Sequence, residues 1–390
     1  MTQEEKPAAV EPRVEFDDSG RSTGIELTED TNNGGRTTPF DPNRIEVQPR
    51  NTTISLLLQR LRRGALDLAP DFQRQAGIWS EANQSRLIES LLLRITLPTI
   101  YAAENEDESW AVIDGVQRLT AITRFVDPEA IDAEPLRLSH LEYLAEYDGC
   151  TFEDLPGRLQ TRILETELVI LLIRRGTPEE AKFNIFARIN TSGLPLSRQE
   201  LRHALIPGQA RDLLAELAAS DAFLTATAHS VSPDRMAERE MCLRFLAFKL
   251  TPPEQYTTQN FDDFLRTTMH RINELSEQEL EKLRDSFIYA MVASVIVFGP
   301  DAFRKQFKNR TRRFPVNKAL FEVQAVTLSD LSADKIVTLA PQRDVVSSNF
   351  MDLMDDPAFY DSISSGTGAA ATVAYRFQSL KDLFQKVLDA

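Results

Sequence analysis

The sequence has 390 residues, of which 42% are hydrophobic and 26% charged, and its formal net charge is −15. That length is large for one hydrophobic core and predicts two or three structural units. The acidic balance argues against a protein that coats nucleic acid over its whole surface, but it leaves room for one basic patch.

The cysteines and the N-terminus point to a cytoplasmic protein. Cys150 and Cys242 are the only cysteines, and neither lies in a Cys-x-x-Cys or Cys/His cluster, so we expect two small buried side chains and no disulfide framework. No apolar segment follows a basic start, so no signal peptide is predicted. The longest apolar stretch, beginning at Phe287, is too short to span a bilayer, and no membrane contact is expected.

The first part of the chain divides into a tail and a small mixed unit. Residues 1–45 are rich in Thr, Asp, Glu, Gly and Pro without a sustained period, which predicts a mostly disordered acidic tail. Residues 46–175 then alternate helical and strand patterns. Thr52 or Thr53 and Ser80 are expected to cap two helices, and "PTIYAA", "WAVID" and "ELVILLI" are expected to form strands.

Residues 176–390 show mostly helical periodicity. Ser197 and Glu200 have the spacing of a capping box before "RQELRHAL", and the apolar pattern stays helical up to the final "RFQSLKDLFQKVL". The predicted fold class is therefore α+β, with a small mixed sheet followed by a mainly α-helical unit.

The segment "WAVIDGVQRLTAITRFV" places an acid, a glycine, an amide and a guanidinium at one strand-to-helix corner. Free N–H groups at a helix N-terminus form an anion site, and Gly115 lets a phosphate approach the backbone. Arg118 can bind phosphate oxygens, Gln117 can orient a water, and Asp114 can hold Mg²⁺ or accept a proton. The alternative is that Asp114 only caps the helix and Arg118 forms a surface ion pair. A P-loop is excluded because its motif needs a glycine directly followed by a lysine, and no such pair occurs in the sequence.

Two further polar clusters are candidates for the same site. Gln73 and Arg74 lie in the loop "DFQRQAGIW", where Arg74 could instead pair with an acid such as Glu89. Arg188 and Asn190 stand at the end of a predicted helix, before the turn "TSGLP". Ordinary helix-capping chemistry explains that second cluster nearly as well.

The segment "FRKQFKNRTRRFPVNK" is basic in an acidic chain. Its cations and two interleaved phenylalanines suit a nucleic-acid contact, although a solvated basic face is the commoner explanation. The nucleic-acid candidates are Arg304, Lys305, Lys308, Arg310, Arg312, Arg313 and Lys318. The four histidines are far apart and lack the spacing of a metal motif, so metal-dependent nuclease chemistry has weak support.

Three motifs in order resemble a known family. "FQR…W…LIESLLLRITLPTIY", "WAVIDGVQRLTAITRF" and "FARINTSGLPLSRQELRHA" are similar to the domain at the N-terminus of GmrSD-type restriction enzymes, which also occurs in phosphorothioate-sensing and related phage-defence proteins. The resemblance implies a ParB/sulfiredoxin-like core over residues 46–175. It continues through "DRMAEREMCLRFLAF" and "RFQSLKDLFQKVL", and so covers about residues 46–390.

The resemblance also implies a function. Family members bind and hydrolyse nucleoside triphosphates, GTP or ATP with Mg²⁺, through a DGQQR-type loop, in systems that recognise or restrict foreign DNA. The matching positions are Asp114, Gly115, Gln117 and Arg118, and Val116 between them is also expected to contact the nucleotide. Gln73 and Arg74 are expected near the same pocket, with Arg188 and Asn190 on its rim.

The sequence departs from the family pattern in two places. The family usually has a polar residue at the position of Val116, so hydrolysis could be slow here while binding survives. Many relatives also carry a His-Asn-His nuclease domain, for which this sequence has no candidate cluster, so any DNA cleavage is expected to come from another polypeptide.

Three functional hypotheses follow. The first is a nucleotide-binding, NTP-hydrolysing protein of a phage-defence or restriction system. The second is a non-catalytic ParB-like DNA-binding module that uses the basic segment. The third is a regulatory subunit whose nucleotide site switches the binding of a nuclease partner. A homo-oligomer is compatible with each of the three.

Overall fold

The computed structural model describes residues 14–16, 22–27, 41, 44–68, 79–189, 197–257, 260–308 and 313–390, without the side chains of 187–189 and 234. The chain forms two compact units. We call Thr37–Leu205 the sheet unit and Ile206–Ala390, together with Met1–Arg36, the helical unit.

The sheet unit is built on a five-stranded mixed sheet. Its strands are β3 (Val47–Thr53), β4 (Leu66–Asp67), β5 (Ile100–Glu104), β6 (Trp110–Asp114) and β7 (Glu167–Ile173). Their order across the sheet is β3-β7-β5-β6-β4. The β3–β7 and β5–β6 pairs are antiparallel, whereas β5–β7 and β4–β6 are parallel. The start of β5 therefore lies beside the end of β6, where the strand turns into a helix.

Alternating burial explains why the predicted strands form. In β7, Leu168, Ile170 and Leu172 are buried, while Val169 points to an exposed face. That alternation is typical of a strand with one covered face. The three strands predicted from "PTIYAA", "WAVID" and "ELVILLI" are confirmed.

Six helices of the sheet unit are described. They are α1 (Ile54–Arg62), α2 (Glu81–Leu92), α3 (Val116–Val126), α4 (Gly157–Leu164), α5 (Glu179–Ile189) and α6 (Arg198–Leu205). The predicted caps are confirmed: Thr53 caps α1 and Ser80 caps α2. Ser197 and Glu200 form the predicted capping box of α6, since each side chain accepts the other's backbone N–H.

Helices dominate the second unit. Those described are α7 (Gln209–Ala219), α8 (Asp221–Ala226), α9 (Ala237–Leu250), α10 (Phe261–Asn273), α11 (Glu277–Phe298), α12 (Lys318–Ser329), α13 (Ala333–Leu339), α14 (Arg343–Met354), α15 (Pro357–Ser364) and α16 (Ala370–Leu388). Edge-to-face rings, such as Phe245 against Phe287 at 5.2 Å, fill the interior. The predicted α+β class, with a mixed sheet followed by a mainly helical region, is confirmed.

Part of the predicted disordered tail is ordered. Residues of the segment 1–45 form β1 (Val14–Phe16) and β2 (Ser22–Glu26), an antiparallel pair in the helical unit. Ile25 is fully buried there, and Glu26 pairs with Lys305. The expectation of disorder fails for these two strands because their anchors are single residues, which leave no periodic pattern in the sequence.

One described segment, Glu277–Asp301, is long and apolar enough by length and composition to cross a membrane. Half of its apolar window is buried inside the helical unit, a pattern that core helices share. The feature is therefore weak evidence for a membrane span.

Candidate functional site

At the corner between β6 and α3, the cap residue Gly115 is buried and makes no side-chain hydrogen bond to the helix, and we call the N-terminus of α3 open in this sense only. Gly115 stands at the N-cap position with φ +93°, a left-handed conformation that side chains oppose. A Cβ built on Gly115 would lie 2.8 Å from Ile100 Cγ1, so the backbone also passes close to β5. Because the cap is a glycine, it offers no side chain to the N-terminus of α3, and the first turn of the helix carries no acid. The geometry leaves the N-terminal backbone of α3 suited to an anion.

Arg118 joins the corner to the segment before β5. Its Nη2 donates to Asp114 Oδ2 at 3.0 Å and to the Thr99 carbonyl at 3.3 Å, and its Nη1 donates to the Pro98 carbonyl. Its side chain is only 11% exposed. The predicted ion pair of Arg118 therefore exists, but it is largely buried and works as a clamp between two parts of the chain.

Asp114 keeps access to solvent. Its side chain is 25% exposed, and the bond from Arg118 uses one carboxylate oxygen, Oδ2. No other hydrogen bond from the described part of the chain reaches this carboxylate. Asp114 can thus serve Arg118 and a ligand at the same time.

Gln117 faces the loop that precedes α2. Its Oε1 accepts the Trp79 N–H at 3.5 Å, and the Trp79 carbonyl accepts Gln84 Nε2 at 2.7 Å. Gln73 and Arg74 lie in the segment 69–78, outside the described residues. The described chain resumes at Trp79, whose N–H donates to Gln117.

Val116 takes a different role from its neighbours. Its side chain is 5% exposed and belongs to the core, although it was expected among the nucleotide-contacting residues. Only its backbone faces the open helix N-terminus. A side chain buried in this way cannot position a water at the corner.

The candidates Arg188 and Asn190 are not placed by the structure. Arg188 lies near the end of α5, but its side chain is outside the described part of the chain, and Asn190 is wholly outside it. Both α5 and α6, which flank this region, pack against β6.

Helix α6 carries buried polar side chains that the sequence did not single out. Gln199, Glu200, Arg202 and His203 are each at most 2% exposed, and Arg202 Nε donates to Gln199 Oε1 at 2.9 Å. Buried polar groups are costly unless they are bonded. The capping box was the only feature of the sequence that marked this helix. Its polar composition predicts an exposed helix and gives no sign of burial.

The placed cations of the basic segment are bonded within the protein, and three of them are buried or half-buried. Arg304 is buried and donates to the carbonyls of Phe314 and Thr227. Lys305 is buried beside Glu26, and Lys318 lies 3.1 Å from Glu15.

The remaining cations of this segment are exposed or not described. Lys308 and Arg313 are exposed, but Lys308 pairs with Asp352 and Arg313 donates to the Pro300 carbonyl. Arg310 and Arg312 are outside the described residues. The segment does not therefore present a row of free cations among its placed residues.

A metal at the corner would depend on Asp114. Among the described residues no group of three or more His, Cys, Asp or Glu side chains is arranged to hold a metal ion. A Mg²⁺ ion bound with a nucleotide needs only one or two carboxylates, since phosphate and water supply the other oxygens. One half-buried carboxylate beside an open helix N-terminus fits that requirement.

Comparison with known proteins agrees with the motif order. Residues 54–207 match the family described as the GmrSD restriction endonuclease, N-terminal domain. No curated protein matches the chain. The match contains the β6–α3 corner and ends just after α6, so the wider resemblance to residue 390 stays a prediction. Over residues 54–207 the chain therefore carries a domain that matches the N-terminal domain of GmrSD restriction endonucleases.

Proposed function

We propose that the β6–α3 corner binds the phosphates of a nucleoside triphosphate together with Mg²⁺, and that the protein hydrolyses this nucleotide as part of a DNA-restricting defence system. The observation that carries the proposal is an open helix N-terminus, capped by a glycine at φ +93°, directly after a partly exposed acid. Preorganised N–H donors and a carboxylate for a cation are the parts that phosphoryl transfer requires.

The roles follow from the contacts. The backbone N–H groups that begin α3 hold phosphate oxygens, and Asp114 holds the cation, which neutralises phosphate charge when bound. Gln117, whose Oε1 accepts the Trp79 N–H, orients the attacking water. Arg118 positions Asp114 and fixes the backbone at Pro98 and Thr99, so its contribution is to the shape of the site.

The burial of Val116 bears on the third hypothesis, a nucleotide switch without turnover. A buried valine supplies no polar group where relatives usually have one, so we assign the water to Gln117. Slow hydrolysis with intact binding is the expected form of a weakened site. Binding and turnover must therefore be measured separately.

The DNA-binding alternative depends on the basic segment. Arg304, Lys305 and Lys318 have protein partners, which lowers their value as phosphate contacts. We favour the nucleotide site for this reason, and we propose that a separate nuclease polypeptide cuts the DNA.

The test measures nucleotide binding and phosphate release with each NTP plus Mg²⁺, with and without DNA. Asp114→Asn should abolish turnover, and Gln117→Ala should lower turnover more than binding. Glu129→Gln and Arg158→Ala, at exposed positions of the same unit, are the matched controls and should behave as wild type. Absence of both binding and turnover in the wild type, or unchanged turnover in Asp114→Asn, would overturn the proposal.

A further inference from the structure

The N-terminal strands occupy a groove in the helical unit. We call β1 and β2 together the strap. It is far in sequence from the helices that hold it, because residues 37–205 form the other unit. The strap therefore reaches the groove as a separate segment, in the way that a peptide ligand does.

The backbone of the strap pairs with the chain on both sides. Glu26 N–H donates to the Val316 carbonyl at 2.8 Å, and Val316 N–H donates to the Gly24 carbonyl at 2.9 Å. On the other side, Ser232 N–H donates to the Thr23 carbonyl at 2.9 Å. Strand addition of this kind is a common mode of peptide recognition.

The groove selects a glycine. Gly24 has φ +75°, and a Cβ built there would lie 1.6 Å from the Ser230 carbonyl oxygen. No side chain fits that space unless the backbone moves. A residue larger than glycine should expel the strap.

The groove also contains a site for a carboxylate. Glu26 accepts from Lys305 Nζ at 2.8 Å and from Asn317 Nδ2 at 3.0 Å. Both donors are buried, and Lys305 is also held by the Ser364 hydroxyl and the ring of Tyr360. The ammonium and the amide are thus fixed in place by the helical unit.

The strap itself has few apolar anchors. Ile25 is fully buried, whereas Phe16 is 64% exposed and Leu27 is 48% exposed. A second ion pair, Glu15 to Lys318, holds the other strand. A strand of the hydrophobic core would bury a row of apolar side chains. The strap instead is held by one apolar anchor and two ion pairs, as a bound peptide is.

We propose that residues 230–232, 303–305 and 314–317 form a recognition groove for an extended Gly-apolar-Glu peptide, and that the chain's own strap occupies it as a detachable internal ligand. The strap opens while the helices stay folded. An acidic extended peptide of the same pattern is then the kind of partner that can displace it. The basic segment thus serves peptide recognition through Lys305.

Hydrogen exchange in the wild-type protein is the first test. The amides of Glu26 and Val316, which bond across the groove, should exchange faster than amides in α11 and α12, with little dependence on denaturant. Glu26→Gln should speed exchange at these two amides at least tenfold and leave the helices unchanged. If both amides exchange only through global unfolding, the strap is an integral strand and the proposal fails.

The second test supplies the strap in trans. A synthetic peptide of residues 13–27 should bind the full chain carrying Gly24→Val and should bind the wild type at least tenfold more weakly, because the wild-type groove is filled. The same peptide with Glu26→Gln should lose at least tenfold in affinity. If the Gly24→Val chain folds but does not bind the peptide, the proposal fails. It also fails if the wild type is a dimer that Gly24→Val converts to a monomer, because the strap would then come from a second copy. If Gly24→Val does not fold, the exchange test decides.

Discussion

Replacing Arg118 with alanine tests whether this residue is a clamp. The change removes the bond to Asp114 and the bonds to the carbonyls of Pro98 and Thr99. An exposed i,i+4 ion pair contributes only about 0.3–0.5 kcal/mol. Arg118 is 11% exposed, so its charged hydrogen bonds should count more, and the expected loss is about 1.5–3 kcal/mol.

Tryptophan fluorescence during urea unfolding measures this loss of stability in the sheet unit, where Arg118 lies. The protein has two tryptophans, Trp79 and Trp110, and both lie in the sheet unit. Arg158→Ala, at an exposed position, should stay within about 0.5 kcal/mol of wild type. Arg118→Ala with the same stability as this control would refute the clamp and return Arg118 to the role of a ligand-binding side chain.

Three further predictions concern stability. Gly115→Ala should cost the sheet unit about 1–2 kcal/mol in the same fluorescence assay, because alanine opposes the left-handed conformation and meets Ile100; an unchanged urea midpoint would contradict this. Burial would raise the pKa of Glu89, but three backbone N–H donors outweigh it and hold that pKa below its usual range. The carboxylate therefore stabilises the fold fully above about pH 4.3, the pKa of an unfolded glutamate. This stabilisation is lost as the pH falls through the lower pKa of the folded state. Glu89→Gln should therefore lose about 1.5–3 kcal/mol at pH 7, and the gap to wild type should shrink in acid; a gap independent of pH would argue against the carboxylate. Burial raises the pKa of Tyr256 to about 12, so its stabilisation is full below about pH 10 and falls, by roughly 3 kcal/mol, as the pH rises towards 12. Circular dichroism of urea unfolding should show a smaller fall for Tyr256→Phe, and equal falls would refute the assignment.

Local patterns predicted much of the sheet unit. Apolar runs gave the strands, and short polar residues such as Ser80 and Ser197 marked helix starts correctly. The strand-glycine-helix corner at Gly115 was visible because its geometry depends on adjacent residues. Features set by neighbours in sequence can be predicted from sequence.

Features set by distant contacts could not be predicted. The partners of Arg118 at Pro98 and Thr99 are about twenty residues away, so a clamp and a phosphate ligand look the same in the sequence. Lys305 appeared to be part of a solvated or nucleic-acid-binding face, but its partner Glu26 lies 279 residues earlier. The burial of α6 could not be predicted either, because its polar composition is typical of an exposed helix, whereas its polar side chains are buried.

The central claim is that phosphate binds at the N-terminus of α3. The most direct measurement is the backbone amide spectrum of the full chain during titration with a non-hydrolysable nucleoside triphosphate plus Mg²⁺. The account predicts saturable shifts at the amides of Gly115, Val116 and Gln117, which Mg²⁺ alone does not produce and which Asp114→Asn weakens. Saturable shifts confined to other parts of the chain would contradict it.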